Sequence, residues 1–135
     1  MGKIASEKVT WHKQWDKFMD FDMTEANIKW FTDAKVNIVE NCIDMHLARR
    51  GNKTAIIFEA NDPNEAAEHI TYTDLYHRVC KMANVLKEQG IKKGDRVCIY
   101  LPMIPEFAIS VLAWPRIGAI HSVVFACFSS NDSAP

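Results

Sequence analysis

Long hydrophobic runs are absent from the sequence. No stretch approaches the roughly 18 consecutive apolar residues of a membrane-spanning helix, and the amino end lacks the apolar region of a secretory signal. The four cysteines (Cys42, Cys80, Cys98 and Cys127) lie 38, 18 and 29 positions apart, with no C-x-x-C pair. This spacing indicates neither a zinc site nor a disulfide framework. We therefore expect a cytoplasmic protein with no transmembrane segment.

Charge of one sign is not in excess either. The 135 residues include 16 lysines and arginines against 17 aspartates and glutamates, a formal net charge of -1. Such a balance creates no field that would attract nucleic acid or an acidic membrane, so we expect no nucleic-acid partner. The five glycines are scattered, and no G-x-x-x-x-G-K-[ST] phosphate loop is present. Any partner must therefore be argued from specific sites.

One short motif concerns the amino terminus. The opening MGKIAS fits the pattern for myristoylation of Gly2 after removal of Met1. The pattern is common by chance, and only Lys3 and Lys8 flank it, whereas stable anchoring needs a second signal such as a polybasic patch. We therefore do not expect Gly2 to be myristoylated.

The first 40 residues predict a lead followed by short strands. Trp11, Trp15, Phe18 and Met19 recur at i, i+4, i+7 and i+8, which predicts an amphipathic helix. Its other face carries mixed charge, which favours packing on the body of the protein over binding a membrane. Residues 28–31 and 36–38 are each interpreted as a strand.

The middle of the chain predicts a helix, a hairpin and a second helix. The first helix runs from Val39 to about Arg50, with Val39, Cys42, Ile43, His46 and Leu47 on one stripe and Gly51 as its stop. Residues 53–60 and 69–73 are interpreted as two strands of a hairpin. The second helix is predicted to be capped by Thr73 and to end at Gly90 in a left-handed conformation.

The last third of the sequence predicts a parallel sheet. Residues 97–101 are apolar on both faces, as in a strand covered by helices on both sides. Pro105 is placed as the first residue of an apolar helix, and residues 119–125 form a further strand. From residue 69 the order is strand, helix, strand, helix, strand, which predicts an α/β fold with two βαβ crossovers. Three parallel strands would leave open edges, so we expect more protein to follow, or self-association through an edge.

Four segments together resemble the amino-terminal part of one enzyme family. They read NCIDMHL (41–47), KTAIIFE (53–59), ITYTDLYHRVCKMANVLKEQGIKKGDRVCIYLPMIPE (70–106) and RIGAIHSVVFACFS (116–129). The chain is similar there to acetyl-CoA synthetase, the AMP-forming acetate–CoA ligase of the adenylate-forming superfamily. The GIKKGDRV portion is shared across that superfamily, and NCIDMHL, PMIPE and RIGAIHSVVF are more specific.

The resemblance implies a division of the chain and a reaction. Residues 1–24 would be a mobile or helical lead, residues 25–129 an incomplete large N-terminal domain of the adenylate-forming fold, and residues 130–135 a divergent tail. The family joins acetate to CoA through an acetyl-adenylate and uses ATP, Mg²⁺ and CoA. The motifs that bind ATP and carry out adenylation lie further along the family's sequence than this chain extends. We therefore expect the chain to bind no cofactor tightly and to be inactive alone.

The resemblance assigns one site residue within the chain. Cys127 stands where the family usually has glycine, on backbone close to the CoA channel, and its side chain would narrow that channel. A second departure is Pro115, which is expected to end or kink its helix near Trp114. These departures also support an alternative: a non-catalytic, degenerate module that binds CoA or a full-length synthetase.

Other polar residues receive structural interpretations. His121 has no carboxylate or cysteine spaced to assist it, which favours a packed, hydrogen-bonded histidine over a base or ligand. Asp95 follows Gly94 and is typical of a turn. Arg116 could contact a phosphate, but a pairing with Glu106 or with solvent is favoured.

Overall fold

The computed structural model describes residues 1–126, and the predicted site residue Cys127 lies outside them. Helices and strands both occur throughout the described residues, with a π-helix between the second strand and the second α-helix. In chain order they are α1 (Gly2–Lys8), β1 (Lys17–Asp22), β2 (Asn27–Thr32), the π-helix (Glu40–Asp44), α2 (Met45–Arg50), β3 (Thr54–Phe58), β4 (Glu68–Thr71), α3 (Tyr72–Glu88), β5 (Arg96–Tyr100), α4 (Pro105–Arg116) and β6 (Ile120–Val124).

The first strands form a hairpin where a helix was predicted. Strands β1 and β2 are antiparallel, with Met19 opposite Trp30, so the prediction of a helix through Trp11 and Met19 is wrong. Five aromatic rings pack together here, with neighbouring centroids 5.2 to 6.4 Å apart: Trp11, Trp15, Phe18, Trp30 and Phe31. Aromatic residues favour strands, and cross-strand ring pairs stabilise a hairpin, so tertiary packing overrode the helical spacing. The strand predicted at 28–31 is confirmed as β2.

The strand predicted at 36–38 is not found, because residues 36 and 37 form a loop and residue 38 already starts the helical turn that leads into the π-helix. The Asn37 side chain accepts a hydrogen bond from the Val39 amide at 2.9 Å, which starts the helical turn. Val39 and Ile43 are fully buried, whereas Cys42 is exposed. The wider π-turn explains this difference, because its i→i+5 bonding shifts the predicted α-helical stripe. The end of the helical segment at Arg50 is confirmed.

The central hairpin and helix α3 follow the sequence prediction closely. Strands β3 and β4 pair antiparallel, and Gly90 after α3 has a φ of +86° as predicted. The helix begins earlier than predicted, since Thr71 and not Thr73 is its N-cap. The Thr71 hydroxyl accepts from the Asp74 amide at 3.1 Å, and the Asp74 carboxylate accepts from the Thr71 amide at 3.3 Å. This reciprocal pair is a capping box.

Strands β5 and β6 form the one parallel pair among the described residues, with Arg96 opposite Ile120 and Tyr100 opposite Val124. The α/β class is confirmed, but the expected three-stranded parallel sheet is not found. Strand β4 pairs with β3 and not with β5, so residues 1–126 contain one βαβ crossover and three separate two-stranded sheets. The sequence order alone does not distinguish a strand that joins the parallel sheet from one that closes a hairpin.

Helix α4 connects the two parallel strands and covers one side of them. Pro105 is its first residue, as predicted. Pro115 lies inside its last turn, and the helix continues to Arg116, because at that position a proline removes only one hydrogen bond near the end. The buried apolar side chains belong to the helices and strands after residue 38: Val39, Ile43, Ile70, Leu75, Val79, Ala83, Leu86, Ile99, Ile109, Ala113, Trp114 and Ala119.

No helix within residues 1–126 combines the length and the apolar character needed to span a membrane. The division of the chain at residues 24 and 129 stays a prediction.

Candidate functional site: the Arg116 cluster and the clefts beside it

A bidentate ion pair joins the end of α4 to the end of the π-helix. The Arg116 Nη1 and Nη2 atoms donate to the two carboxylate oxygens of Asp44, each at 2.8 Å. The side chains are 17% and 30% exposed, respectively. The expected pairing of Arg116 with Glu106 or with solvent is therefore wrong. A fork-shaped guanidinium on a carboxylate is the strongest common form of side-chain ion pair.

Two further side chains complete what we call the Arg116 cluster: Asn37, Asp44, Tyr76 and Arg116. The guanidinium carbon lies 5.0 Å from the centre of the Tyr76 ring, which is a cation–π contact. The Asn37 amide donates to the backbone carbonyl of Arg116 at 3.1 Å. The cluster thus links the loop before the π-helix, the π-helix, α3 and α4.

The electrostatics of the cluster favour a permanently charged arginine. Hydrogen bonding to Asp44 raises the pKa of Arg116, although partial burial opposes this. The adjacent Cys80 thiol raises the pKa of Tyr76, while the Arg116 charge acts in the opposite direction. Neither group therefore changes charge near neutral pH, and the cluster is suited to holding elements together.

Two open clefts lie beside the cluster. The smaller, of about 180 Å³, is lined by Asn37, Glu40, Cys80, Ala83, Asn84, Lys87, Arg116 and Ile117. The larger, of about 510 Å³, lies between the loop that follows β2 and the two turns that precede β5 and β6. It includes His12, Lys35, Lys93 and Gly118 in its lining. The His12 side chain forms a hydrogen bond with the Glu40 carboxylate, with 2.6 Å between Nε2 and Oε2.

The other residues selected from the sequence lie apart from this cluster. Asp95 accepts a hydrogen bond from the Lys92 amide at 2.7 Å, which confirms its interpretation as a turn residue. His121 is half-buried in β6, and its hydrogen bonding stays a prediction. Gly2 begins α1, and the absence of myristoylation also stays a prediction. Within residues 1–126, no group of three or more His, Cys, Asp or Glu side chains is arranged to hold a metal ion.

Sequence reasoning missed Asp44 and Tyr76. Asp44 is 72 positions from Arg116, so no local pattern connects them. The available signal was weak: an aspartate one residue after the buried stripe position Ile43, within a segment that otherwise resembles a known family. A long-range pair of this kind requires the tertiary structure to be seen.

Two family models match the chain and together cover nearly all of it. The family model for AMP-binding enzymes matches residues 43–133. The chain belongs to the AMP-binding enzyme family. A second model, for the acetyl-coenzyme A synthetase N-terminus, matches residues 2–42. The boundary between the two models falls inside the π-helix, and the Asn37–Arg116 hydrogen bond crosses it.

Relatives within this family identify the part of it that the chain represents. An acetyl-coenzyme A synthetase of Alkalilimnicola ehrlichii is 54% identical over 130 residues, which cover 96% of this chain and 20% of that protein. Acetyl-coenzyme A synthetase 2 of Pseudomonas aeruginosa is 51% identical, over 97% of this chain and 20% of the relative. The chain corresponds to the N-terminal region of acetyl-CoA synthetases and spans about a fifth of their length.

A solved structure supports the fold. Acetoacetyl-CoA synthetase from Streptomyces lividans superposes with a TM-score of 0.82 at 23% identity, covering 96% of this chain and 20% of that one. The mixed α/β arrangement of the chain therefore matches that of the N-terminal part of this structure.

Proposed function

We propose that the chain supplies the N-terminal scaffold of an acetate–CoA ligase. The observation that carries this proposal is the 54% identity to an acetyl-CoA synthetase over 96% of the chain. In the complete enzyme, acetate and Mg-ATP would form acetyl-adenylate and pyrophosphate, and the CoA thiol would then accept the acetyl group and release AMP. The proposal assigns the residues that activate acetate to polypeptide outside this chain, and it places the reaction in the cytoplasm.

The part of the scaffold that we propose to face CoA is the carboxyl edge of β5 and β6. Parallel strands end at the same edge, where ligands of open α/β sheets bind. Tyr100 and Val124 end the two strands in register, and the Tyr100 hydroxyl donates to the carbonyl of Ala126 at 3.3 Å. Ala126, the last residue that the structure describes, therefore lies at this edge. Cys127, to which the resemblance gives a place beside CoA, is the next residue in the sequence and lies outside the described residues.

A chimera tests the scaffold proposal. The matched region of the Alkalilimnicola ehrlichii synthetase would be replaced by this chain, and acetate-dependent ATP–pyrophosphate exchange would be measured. We expect exchange within about tenfold of the parent enzyme. This limit corresponds to a change of at most about 1.4 kcal/mol in the activation barrier. We expect none from the 135-residue chain alone. A folded chimera without exchange would contradict the proposal and favour a non-catalytic module.

The role of Cys127 is tested in the same chimera. Cys127→Gly should lower the KM for CoA and leave acetate-dependent exchange unchanged, because exchange precedes the use of CoA. Cys98→Ala is the control, since Cys98 is exposed on β5 and should alter neither value. An unchanged KM for CoA in Cys127→Gly would contradict the proposal that Cys127 lines the CoA channel.

A further inference from the structure

The larger cleft beside the Arg116 cluster has the charge of an anion site. Its volume of about 510 Å³ is in the range of small-ligand pockets, which is about 300 to 1,000 Å³. Lys35 lines it from the loop that follows β2, and Lys93 lines it from the turn that precedes β5. Among the described residues, no aspartate or glutamate is part of the lining. The cleft therefore gathers positive charge without a carboxylate of its own.

The two lysines differ from the other cationic side chains of the lining. Arg116 is paired with Asp44, and His12 is bonded to Glu40. By contrast, no carboxylate within residues 1–126 forms an ion pair with either lysine. Like charges that share a cleft repel each other, and a bound anion would relieve this repulsion.

Backbone hydrogen bonds fix the positions of both lysines. The Lys35 amide donates to the Lys13 carbonyl at 2.8 Å, and the Lys35 carbonyl accepts from the Lys13 amide at 3.1 Å. On the other side, the amide of Gly94, the residue after Lys93, donates to the Gly118 carbonyl at 2.9 Å. Because these segments are already ordered, a ligand that binds between them pays little to order the backbone.

The stem of Lys93 lies against Gly118 at the end of α4. A Cβ added to Gly118 would lie 2.9 Å from Cγ and 3.4 Å from Cδ of Lys93. A lysine at a helix carboxyl end can serve the helix alone, by bonding its last carbonyls. Here the carbonyls of Trp114, Pro115 and Arg116 already accept hydrogen bonds from other donors. The end of α4 therefore does not need the Lys93 ammonium group as a donor.

We propose that this cleft binds a phosphate group between Lys35 and Lys93. The lysine ammonium is a compact charge that binds phosphate without the fork geometry of arginine. A water molecule takes about 30 Å³ in the liquid, so the cleft has room for a phosphate and for an organic group attached to it. Apolar side chains that would contact such a group are Ala34, Val36 and Ile117.

A phosphate in this cleft would bridge two regions of the chain. Lys35 belongs to the region matched by the synthetase N-terminus model, and Lys93 belongs to the region matched by the AMP-binding model. The cleft lies at the amino ends of β5 and β6, whereas the edge that we propose to face CoA lies at their carboxyl ends. Binding should therefore hold the loop after β2 against the turn before β5.

The binding test compares neighbouring lysines. Lys93→Gln keeps Cβ, Cγ and Cδ, the three atoms that pack on Gly118, and removes the charge. Lys92→Gln is the matched control, because it removes the same charge from a residue outside the lining. The 135-residue chain would be titrated calorimetrically with inorganic phosphate, with sodium chloride added to keep the ionic strength constant.

We expect saturable binding by the original chain and by Lys92→Gln. Binding should be at least about tenfold weaker in Lys93→Gln and in Lys35→Gln, because each loses a hydrogen bond between charged groups. Phenyl phosphate distinguishes the two sources of the phosphate group. Tighter binding of phenyl phosphate than of inorganic phosphate, with no binding of phenol, would identify a phosphate ester, and equal affinities would identify free phosphate.

Amide hydrogen exchange of the original chain is a second measurement, which needs no variant. At a phosphate concentration ten times the Kd, opening of the cleft should be suppressed about tenfold. Exchange should slow by this factor in the segments around Lys35 and Lys93. Amides of the exposed turn between β3 and β4 should exchange at an unchanged rate.

Equal weakening by Lys92→Gln and Lys93→Gln would overturn the proposal, because it would show attraction to the general surface charge. The absence of saturable binding by the original chain would overturn it as well. If a variant of the isolated chain does not fold, the same comparison is made in the chimera. The residues that bind ATP there are identical in both variants, so any difference in phosphate binding between them reports on the cleft.

Discussion

Arg116 joins four segments that are far apart in the sequence. Its guanidinium binds Asp44 and stacks on Tyr76, and its carbonyl accepts from Asn37. The carboxylate partner is only 30% exposed, so removing the arginine would leave a charge largely shielded from water. Losing such an ion pair costs more than losing an exposed one.

Replacing Arg116 by methionine should therefore destabilise the chain by roughly 2 kcal/mol, the loss expected when hydrogen bonds to a charged group are removed. Arg116→Lys should restore little of this, because an ammonium cannot bind both carboxylate oxygens in fork geometry. The measurement is urea unfolding, with Arg78→Met as control. Arg78 pairs with Glu68 in an exposed position and should cost less than about 1 kcal/mol. Equal losses of unfolding free energy in Arg116→Met and Arg78→Met would show that the Arg116 cluster stabilises the chain no more than an exposed ion pair does.

Gly118 is held in a conformation that two separate effects restrict. Its φ is +79°, and an added Cβ would lie 2.9 Å from Cγ of Lys93. Gly90 has a similar φ of +86°, but nothing lies within 4 Å of its Cβ position. Alanine substitutions at Gly90 and at Gly118 therefore separate the cost of backbone strain from the cost of steric overlap.

Gly90→Ala should cost about 1 kcal/mol from the left-handed backbone alone, and Gly118→Ala should cost more. In Gly118→Ala/Lys93→Ala, the loss should return towards the Gly90→Ala value, because the colliding stem has been shortened. Thermal unfolding of the original chain and of the three variants measures these losses. If the double variant is no more stable than Gly118→Ala, the Lys93 contact is not the cause.

At the scale of elements, helix α3 shows how local chemistry sets a boundary. Both Thr71 and Thr73 are N-cap residue types, and the sequence favoured Thr73. The structure selects Thr71 because Asp74 stands three positions later and completes the capping box. The Thr71 hydroxyl and amide, as donors, hold the pKa of the Asp74 carboxyl below its ordinary value of 3.8.

Thr71→Ala should destabilise the chain by about 1 kcal/mol, the usual effect of losing an N-cap, and Thr73→Ala should cost less. Because the pKa of Asp74 is lower in the folded state, its stabilising effect is complete above the ordinary value and is lost as the pH falls through the folded value. The gap between the original chain and Thr71→Ala should therefore narrow below about pH 4. Urea unfolding across this range measures the gap, and a gap that widens in acid would contradict the assignment.

The elements that were predicted correctly have strong local signals. The stripe of Leu75 and Val79 on α3, the proline that starts α4 and the left-handed Gly90 each act within a few residues. The errors lie where distant contacts decide. The segment around Trp11 has helical spacing, but packing of aromatic rings such as Trp11 and Trp30 favours the observed hairpin. Strand β4 pairs with β3 and not with β5. In the candidate site, Arg116 was singled out, but its partner Asp44 could not be found without the fold.

At the scale of the whole molecule, the N-terminal unit, residues 2–36, is attached to the body with little burial. The fully buried side chains of the described residues begin at Val39. Asn41 lies in the body and forms three hydrogen bonds, two of which join it to Thr10 of the N-terminal unit. Its Oδ1 accepts from the Thr10 amide at 2.7 Å, and its Nδ2 donates to the carbonyls of Thr10 and Asn37, each at 3.0 Å.

The N-terminal unit should therefore open independently of the core when Asn41 is replaced by alanine. Losing these bonds should cost roughly 2 kcal/mol locally and speed amide hydrogen exchange in β1 and β2 by roughly thirtyfold. Amides of α3 should keep their protection, because the buried residues of the core are unchanged. Asn64→Ala is the control, since Asn64 bonds only locally to Asp62 among the described contacts. Equal acceleration in β1 and in α3 would show that the unit and the core unfold together, which the lack of buried side chains before Val39 argues against.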